Sequence, residues 1–149
     1  MKKIYLPVLC FLLYITADAM PTNNAVPAIG NWNTTTTWSL GRLPQHGDTV
    51  VIPVGKTVII DDIQNYSTSD LFLKIYGTLE IINGKLWLGA NSTIIIFTGG
   101  VINASGSPSE TLKIGGDVKF QGTQGSITGP AIANGSTGTA PTGFAPFPE

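Results

Sequence analysis

The sequence predicts an all-β fold: a short right-handed parallel β-helix (β-solenoid) of about three to four coils, with about 22 residues per coil. Three observations predict it. Gly55, Gly77 and Gly99 stand 22 residues apart, and each opens an apolar run: GKTVII, GTLEII and GGVINA. A second run comes late in each row, Leu71–Tyr76, then Thr93–Thr98, then Gly115–Phe120, with Thr49–Val54 in the same phase one row earlier. Within the runs, apolar and polar residues alternate with the period of two that a strand shows when one face is buried. Rows of this kind cannot bury their apolar faces alone and do so by stacking on their neighbours.

The chain opens Met1-Lys2-Lys3, continues through an apolar stretch from Ile4 to Ile15 and reaches Ala17-Asp18-Ala19. A basic start, a short apolar stretch and an A-x-A site read as a secretory signal peptide over residues 1–19. The stretch is too short to span a bilayer, so no membrane span remains after cleavage. The single cysteine, Cys10, goes with the signal, leaving no disulfide, no thiolate metal site and no cysteine nucleophile. With 8 Lys and Arg against 9 Asp and Glu, the net charge is −1 and no basic run stands out. That composition excludes an electrostatic nucleic-acid footprint and a polybasic membrane patch. A lysine-led signal on a β-protein otherwise free of cysteine points to a bacterial export product: secreted, extracellular or at the cell surface, with the periplasm as the other compartment open to it. No cofactor is implied.

Residues 20–48 read as a lead-in and N-terminal cap. A solenoid leaves its first coil with an open apolar end, and Trp32 and Trp38 suit a lid over it. Their indole N–H groups would then lie at the wet edge; sugar binding by the pair is the competing reading. Gly41 to Asp48 is turn-rich. Pro53 cannot donate to a ladder, so the strand from Thr49 lies at a sheet edge or ends there.

Residues 49–128 read as the solenoid proper. Alternation places Leu71, Leu73 and Ile75 inside, then Leu79 and Ile81, then Leu86 and Leu88 with Trp87 outside, then Val118 and Phe120 with Lys119 outside. Val58 and Ile60 form the inward pair of the first row. They stand one residue later, relative to Gly55, than Leu79 and Ile81 stand relative to Gly77. A slip of one residue would turn every side chain to the other face, so a bulge or an adjusted turn is expected between these rows. Residues 129–149 read as a Gly/Pro/Thr-rich tail, dispensable for folding, from which Phe144 and Phe147 could dock on the last coil.

A set of these residues resembles a known module. Trp38, Gly41-Arg42-Leu43-Pro44, Gly47-Asp48, Val50, Ile52, Gly55-Lys56-Thr57-Val58, and then Leu73, Ile75, Gly77 and Leu79 are similar to the G8 domain. That is a glycine-rich β-strand module of extracellular proteins, and similar segments open many secreted bacterial surface proteins of the β-helix type. The resemblance runs from Trp32 to Gly106. It implies an extracellular β-rich module, which in larger members accompanies polysaccharide-acting or adhesive regions. It carries no catalytic residue across.

No motif announces an enzyme. His46 lies in a turn without a histidine or cysteine partner, so zinc has no ligand set. No nucleophile elbow is present. Asp61, Asp62 and Asp70 offer hard oxygen ligands that calcium would accept, although adjacent aspartates at a strand end also serve to bond their own backbone in a turn. The candidate ligand-binding residues are the outward aromatics Phe72, Tyr76 and Trp87, whose flat faces suit sugar rings. The same aromatics suit a protein contact or a cover formed by the polar loop from Gln64 to Asp70. Two functional classes follow. One is a non-catalytic secreted module that binds or scaffolds at the cell surface, with a polysaccharide or surface protein as partner and self-association through the solenoid ends. The other is a fragment or relative of a β-helix polysaccharide lyase or hydrolase.

Overall fold

A computed structural model describes residues 19–149; the signal-peptide reading falls on residues 1–19 and lies, but for Ala19, outside the described residues. The chain enters through β1 (Thr22–Asn24) and β2 (Ile29–Asn31) and passes a 3-10 turn at Thr35–Thr37. It then winds three coils of three strands. The first holds β3 (Thr49–Ile52), β4 (Thr57–Ile60) and β5 (Ile63–Tyr66). The second holds β6 (Phe72–Ile75), β7 (Thr78–Ile81) and β8 (Lys85–Leu88), and the third β9 (Thr93–Ile96), β10 (Val101–Ala104) and β11 (Thr111–Ile114). After these come β12 (Asp117–Gln121), β13 (Ser126–Thr128), β14 (Ala131–Asn134) and β15 (Ala145–Pro146). Strands β3, β6 and β9 stack in parallel as one sheet, β4, β7 and β10 as a second, and β5, β8 and β11 as a third. The three sheets wall a single core, and the fold is a right-handed β-solenoid.

The core is built in columns. Val50, Leu73 and Ile94 lie in register in the first sheet, Val58, Leu79 and Ile102 in the second, and Leu86 and Leu112 in the third, all fully buried. Each column repeats a branched side chain on the same inward position, which is the stacking that a β-solenoid rewards.

The corners explain the one-residue offset. Gly55 and Gly99 both have positive φ, 73° and 85°, and sit in four-residue corners. Gly77 belongs to a two-residue corner and has no positive φ. A Cβ on Gly77 would come within 2.3 Å of the Lys56 and Pro53 carbonyl oxygens, and one on Gly100 within 2.2 Å of the Ile75 oxygen. Gly77 is therefore the counterpart of Gly100, not of Gly99. The adjustment lies in corner length, and Thr57, Thr78 and Val101 start their strands in register without a bulge.

The N-terminal end is closed by aromatic packing. Trp32 and Trp38 are buried, with ring centroids 5.1 Å apart in an edge-to-face arrangement. Their N–H groups do not reach a wet edge. Trp38 Nε1 donates to the Trp32 carbonyl at 2.8 Å inside the protein, and Trp32 Nε1 donates to the Tyr66 hydroxyl at 3.1 Å. Before them, β1 pairs with β3 and β2 with β4, so the lead-in supplies strands to two sheets. Strand β3 lies between β1 and β6, not at an edge, and ends at Ile52, before Pro53.

The C-terminal end is closed by a coil that runs backwards. Gly115 and Gly116, with φ of 61° and 94°, form a two-residue loop that joins β11 to an antiparallel β12. Two positive φ values match the turns that suit a tight hairpin. From there the chain retraces the three sheets: β12 pairs with β11, β13 with β10 and β14 with β9, all antiparallel. Gly115–Phe120 is thus not the late run of a third row but the start of this return, in the third sheet. A bulge shifts the register at Leu112/Lys113, so that Val118 pairs with outward Lys113 and Phe120 with inward Leu112. Lys119, expected outside, is fully buried, and its ammonium donates to the Thr137 and Gly138 carbonyls at 2.7 and 3.1 Å. Ala131 and Ala133 of β14 join the core and Phe144 packs against it, so the segment 129–149 is not free of core contacts.

Two further placements differ from the sequence reading. Ile63–Tyr66 is a strand, not part of a polar loop, and Gln64 points inward opposite Leu86. A polar stretch of this kind shows no alternation, and only the ladder to β8 fixes it as β.

Candidate functional site

The outer face of the third sheet carries the most distinctive group of side chains. Strand β8 alternates Leu86 and Leu88 inward with Lys85 and Trp87 outward. Register sets Asn65 of β5 and Lys113 of β11 on either side of Trp87. The Lys113 ammonium lies 5.3 Å from the centre of the indole and that of Lys85 5.9 Å, both within reach of its π face. Beside the ring is a recess of about 160 Å³ lined by Ser67, Trp87, Leu88, Lys113 and Gly116. The indole Nε1 is shielded from solvent and meets no acceptor.

The other candidate aromatics lie elsewhere. Phe72 projects from the outer face of the first sheet with the Lys74 ammonium 5.2 Å over its ring. It borders a wider recess of about 450 Å³ with His46, Asp70, Asn91 and Thr93. The polar groups there are already engaged. Asp70 accepts the Asn91 backbone and side-chain N–H groups, both at 3.0 Å, and the Asp70 N–H donates to His46 Nδ1. These Asn91 bonds hold the Asp70 carboxyl below its ordinary range. Tyr76 sits at the corner beyond β6, its ring stacked on Phe97 at 4.2 Å, with Phe147 edge-on to Phe97. One Tyr76 face is spent on internal packing. The three aromatics therefore do not form one surface.

The aspartates weighed as calcium ligands do not converge on one point. Asp61 and Asp62 occupy the corner between β4 and β5, and Asp70 the corner between β5 and β6. Asp61 accepts the Asn31 side-chain amide at 2.7 Å, and Asp62 accepts the N–H of the next residue, Ile63, at 2.7 Å. Among the described residues no group of three His, Cys, Asp or Glu side chains converges. None of the helices among the described residues is long and apolar enough to cross a membrane.

The turn-rich segment before β3 has a definite geometry. Arg42 grips Asp48 with both terminal guanidinium nitrogens, at 2.6 and 2.8 Å, and the Gln45 N–H adds a third bond at 2.8 Å. Burial pushes the Asp48 carboxyl up, but the Arg42 bonds and charge with the Gln45 N–H outweigh it and hold the group below its ordinary value. This pair folds the Gly41–Asp48 turn onto the end of the first sheet. A family model for the G8 domain matches residues 37–144, well over half of the chain. The chain belongs to the G8 domain family. Comparisons with curated proteins and with solved structures returned no match.

Within the G8 domain, the Arg42–Asp48 pair and Trp38 hold the N-terminal end of the solenoid together and line neither recess, although His46 and Gly47 of the same turn border the wider one. The matched range also reaches past Gly106 and takes in the backward coil as far as Gly143 and Phe144. A further buried group escaped sequence reading. Glu110 is fully buried at the corner between β10 and β11. It accepts the N–H groups of Asn83, Ser105, Gly106 and Ser107 and the Ser105 hydroxyl. A lone Glu in SGSPSE has no periodic neighbour to mark it; the Gly and Ser residues whose N–H groups converge on it are the one available signal.

The facing of β8 makes a direct test. Trp87→Ala is expected to change stability by no more than about 1 kcal/mol, as for ordinary surface changes. Leu88→Ala removes a core side chain and is expected to cost about 2–5 kcal/mol. Urea unfolding of both variants measures the difference, and a larger loss for Trp87→Ala would contradict the role given to its face.

Proposed function

We propose that this G8 domain is a non-catalytic secreted module that binds polysaccharide on the outer face of its third sheet, at the surface of a bacterial cell. The observation that carries this is Trp87: a large, half-buried indole on an outward strand position, bordered by a recess that Gly116 of the β11–β12 loop also lines. A flat amphipathic ring on a rigid strand suits stacking against a pyranose, and a site on a strand is better fixed than one on a loop. The lyase or hydrolase alternative would need carboxylates set about a common cleft. Asp61, Asp62 and Asp70 instead lie at two corners and bond local amides.

Affinity electrophoresis against a panel of neutral and acidic polysaccharides tests the reading. Retardation by at least one of them, lost in Trp87→Ala, is the expected result. No retardation by any, or retardation unchanged in Trp87→Ala, would sink it.

A second observation favours contact between copies at the N-terminal end. Of the exposed large apolar residues, Met20, Val26, Ile29, Leu40 and Ile63 belong to the entering segment or to β5, the end strand of the third sheet, and Val54 to the β3–β4 corner of the first coil. Exposed apolar residues gathered at one end of a solenoid mark an association surface. Sedimentation should then show a concentration-dependent dimer that Ile29→Glu with Ile63→Glu removes.

A further inference from the structure

On the reading of the Trp87 face as a glycan site, on which this inference rests, we infer that the ligand is an acidic polysaccharide whose rings carry carboxylates. Two ammonium groups, Lys85 and Lys113, lie over one indole. Neither takes part in an ion pair: among the described residues the ion pairs are Arg42–Asp48 and Lys119–Asp117. The remaining outward neighbours in register, Ile63, Asn65 and Thr111, carry no charge. Asp117, the acid closest along the ladder, opposes Ile114 at the start of β12 and lies 3.8 Å from the buried Lys119 ammonium. The whole chain has a net charge of −1, so this pair is a local excess and not part of a generally basic surface.

The arrangement matches the two halves of a uronate ring. Its C–H face stacks on the indole, and its carboxylate, at the ring edge, meets an ammonium. Both lysines have long side chains tied only by weak contact with the ring, so either can turn to an incoming anion at small cost. The indole N–H adds a second sign. A shielded donor without an acceptor is uncommon in a folded protein. A ligand oxygen entering beside the ring, as the lysines swing to its carboxylate, is the partner that this donor lacks.

Polygalacturonate and its fully methyl-esterified form share one backbone and differ in charge, so binding of the purified protein to each, at low and high salt, tests the inference. The expected result is binding to polygalacturonate about tenfold tighter than to the ester, a preference that high salt removes; two exposed ion pairs account for a factor of that size. The double variant Lys85→Gln/Lys113→Gln, its fold checked by circular dichroism, should bind both polymers alike, whereas Trp87→Ala should bind neither. Equal binding of both polymers by the unaltered protein, or binding only of neutral polysaccharides, would overturn the acidic assignment and leave the glycan site standing. A double variant that keeps the preference would overturn it too. Failure to bind any polysaccharide, acidic or neutral, would remove the underlying reading as well.

Discussion

Removing residues 129–149 is expected to abolish the cooperative fold. Strand β14 closes the first sheet against β9, pairing Ala131 with Ile96, Ile132 with Ile95 and Ala133 with Ile94. Without it, the edge of β9 is bare and three consecutive buried isoleucines lose their cover. The Lys119 ammonium would also lose both carbonyl acceptors while the bulge that buries it remains. Four ladder positions, the exposed apolar surface and a stranded charge together cost about 5 kcal/mol or more, which is comparable with the entire stability of a small domain. Thermal and urea unfolding of the truncated chain should show a broad or absent transition, and the bare edge should make it prone to aggregate. A midpoint close to that of the full chain would show that the three parallel coils are complete without the return.

Glu110→Ala is the most damaging single substitution expected. One carboxylate satisfies four backbone N–H groups and a hydroxyl, and it ties Asn83, in the corner of the second coil, to the loop that leads into β11. Removing it leaves several donors shielded and unpaired, at a cost of about 3–5 kcal/mol. Glu110→Gln keeps the volume but turns an amide N–H₂ toward donors on one side, and about half that loss is expected. The pH dependence follows from the same bonds. Burial pushes the carboxyl up, but the Ser105 hydroxyl and the surrounding N–H groups outweigh it, so in the folded chain it lies below its ordinary 4.5. A group depressed on folding contributes stability that is full above its unfolded value and is lost as the pH falls through its folded one. Asp48, held below its ordinary 3.8 by Arg42 and the Gln45 N–H, acts in the same direction. Unfolding free energy should therefore decline as the pH drops below about 4.5, and part of that decline should vanish in Glu110→Gln. An identical acid slope in the variant would show that Glu110 is not ionised in the folded protein.

Much of this molecule is written in period two. Leu73, Ile75, Leu79, Ile81, Leu86 and Leu88 face inward and Trp87 faces outward because adjacent strand residues point to opposite sides, and no distant contact is needed to know it. Gly115-Gly116 between two apolar runs is also a recognisable hairpin signal. The 22-residue spacing overrode it and made Gly115–Phe120 the late run of a third parallel row. Ile63–Tyr66 was illegible for the opposite reason: its polar side chains carry no pattern, and β8 alone holds it in the sheet.

By itself, then, the sequence determined the solenoid, the size of its coil, the inward columns and the outward place of Trp87, since each depends on spacing along the chain. Only the tertiary structure decided that the last coil runs backwards, that Lys119 is buried at a bulge, that Phe72, Tyr76 and Trp87 lie apart, and that Lys113 joins Lys85 around one indole. Those features depend on which strands become neighbours and in what direction. Direction reverses at a two-residue turn, and neighbours in a solenoid come from rows some two dozen residues away, so neither is carried by any local stretch of the chain.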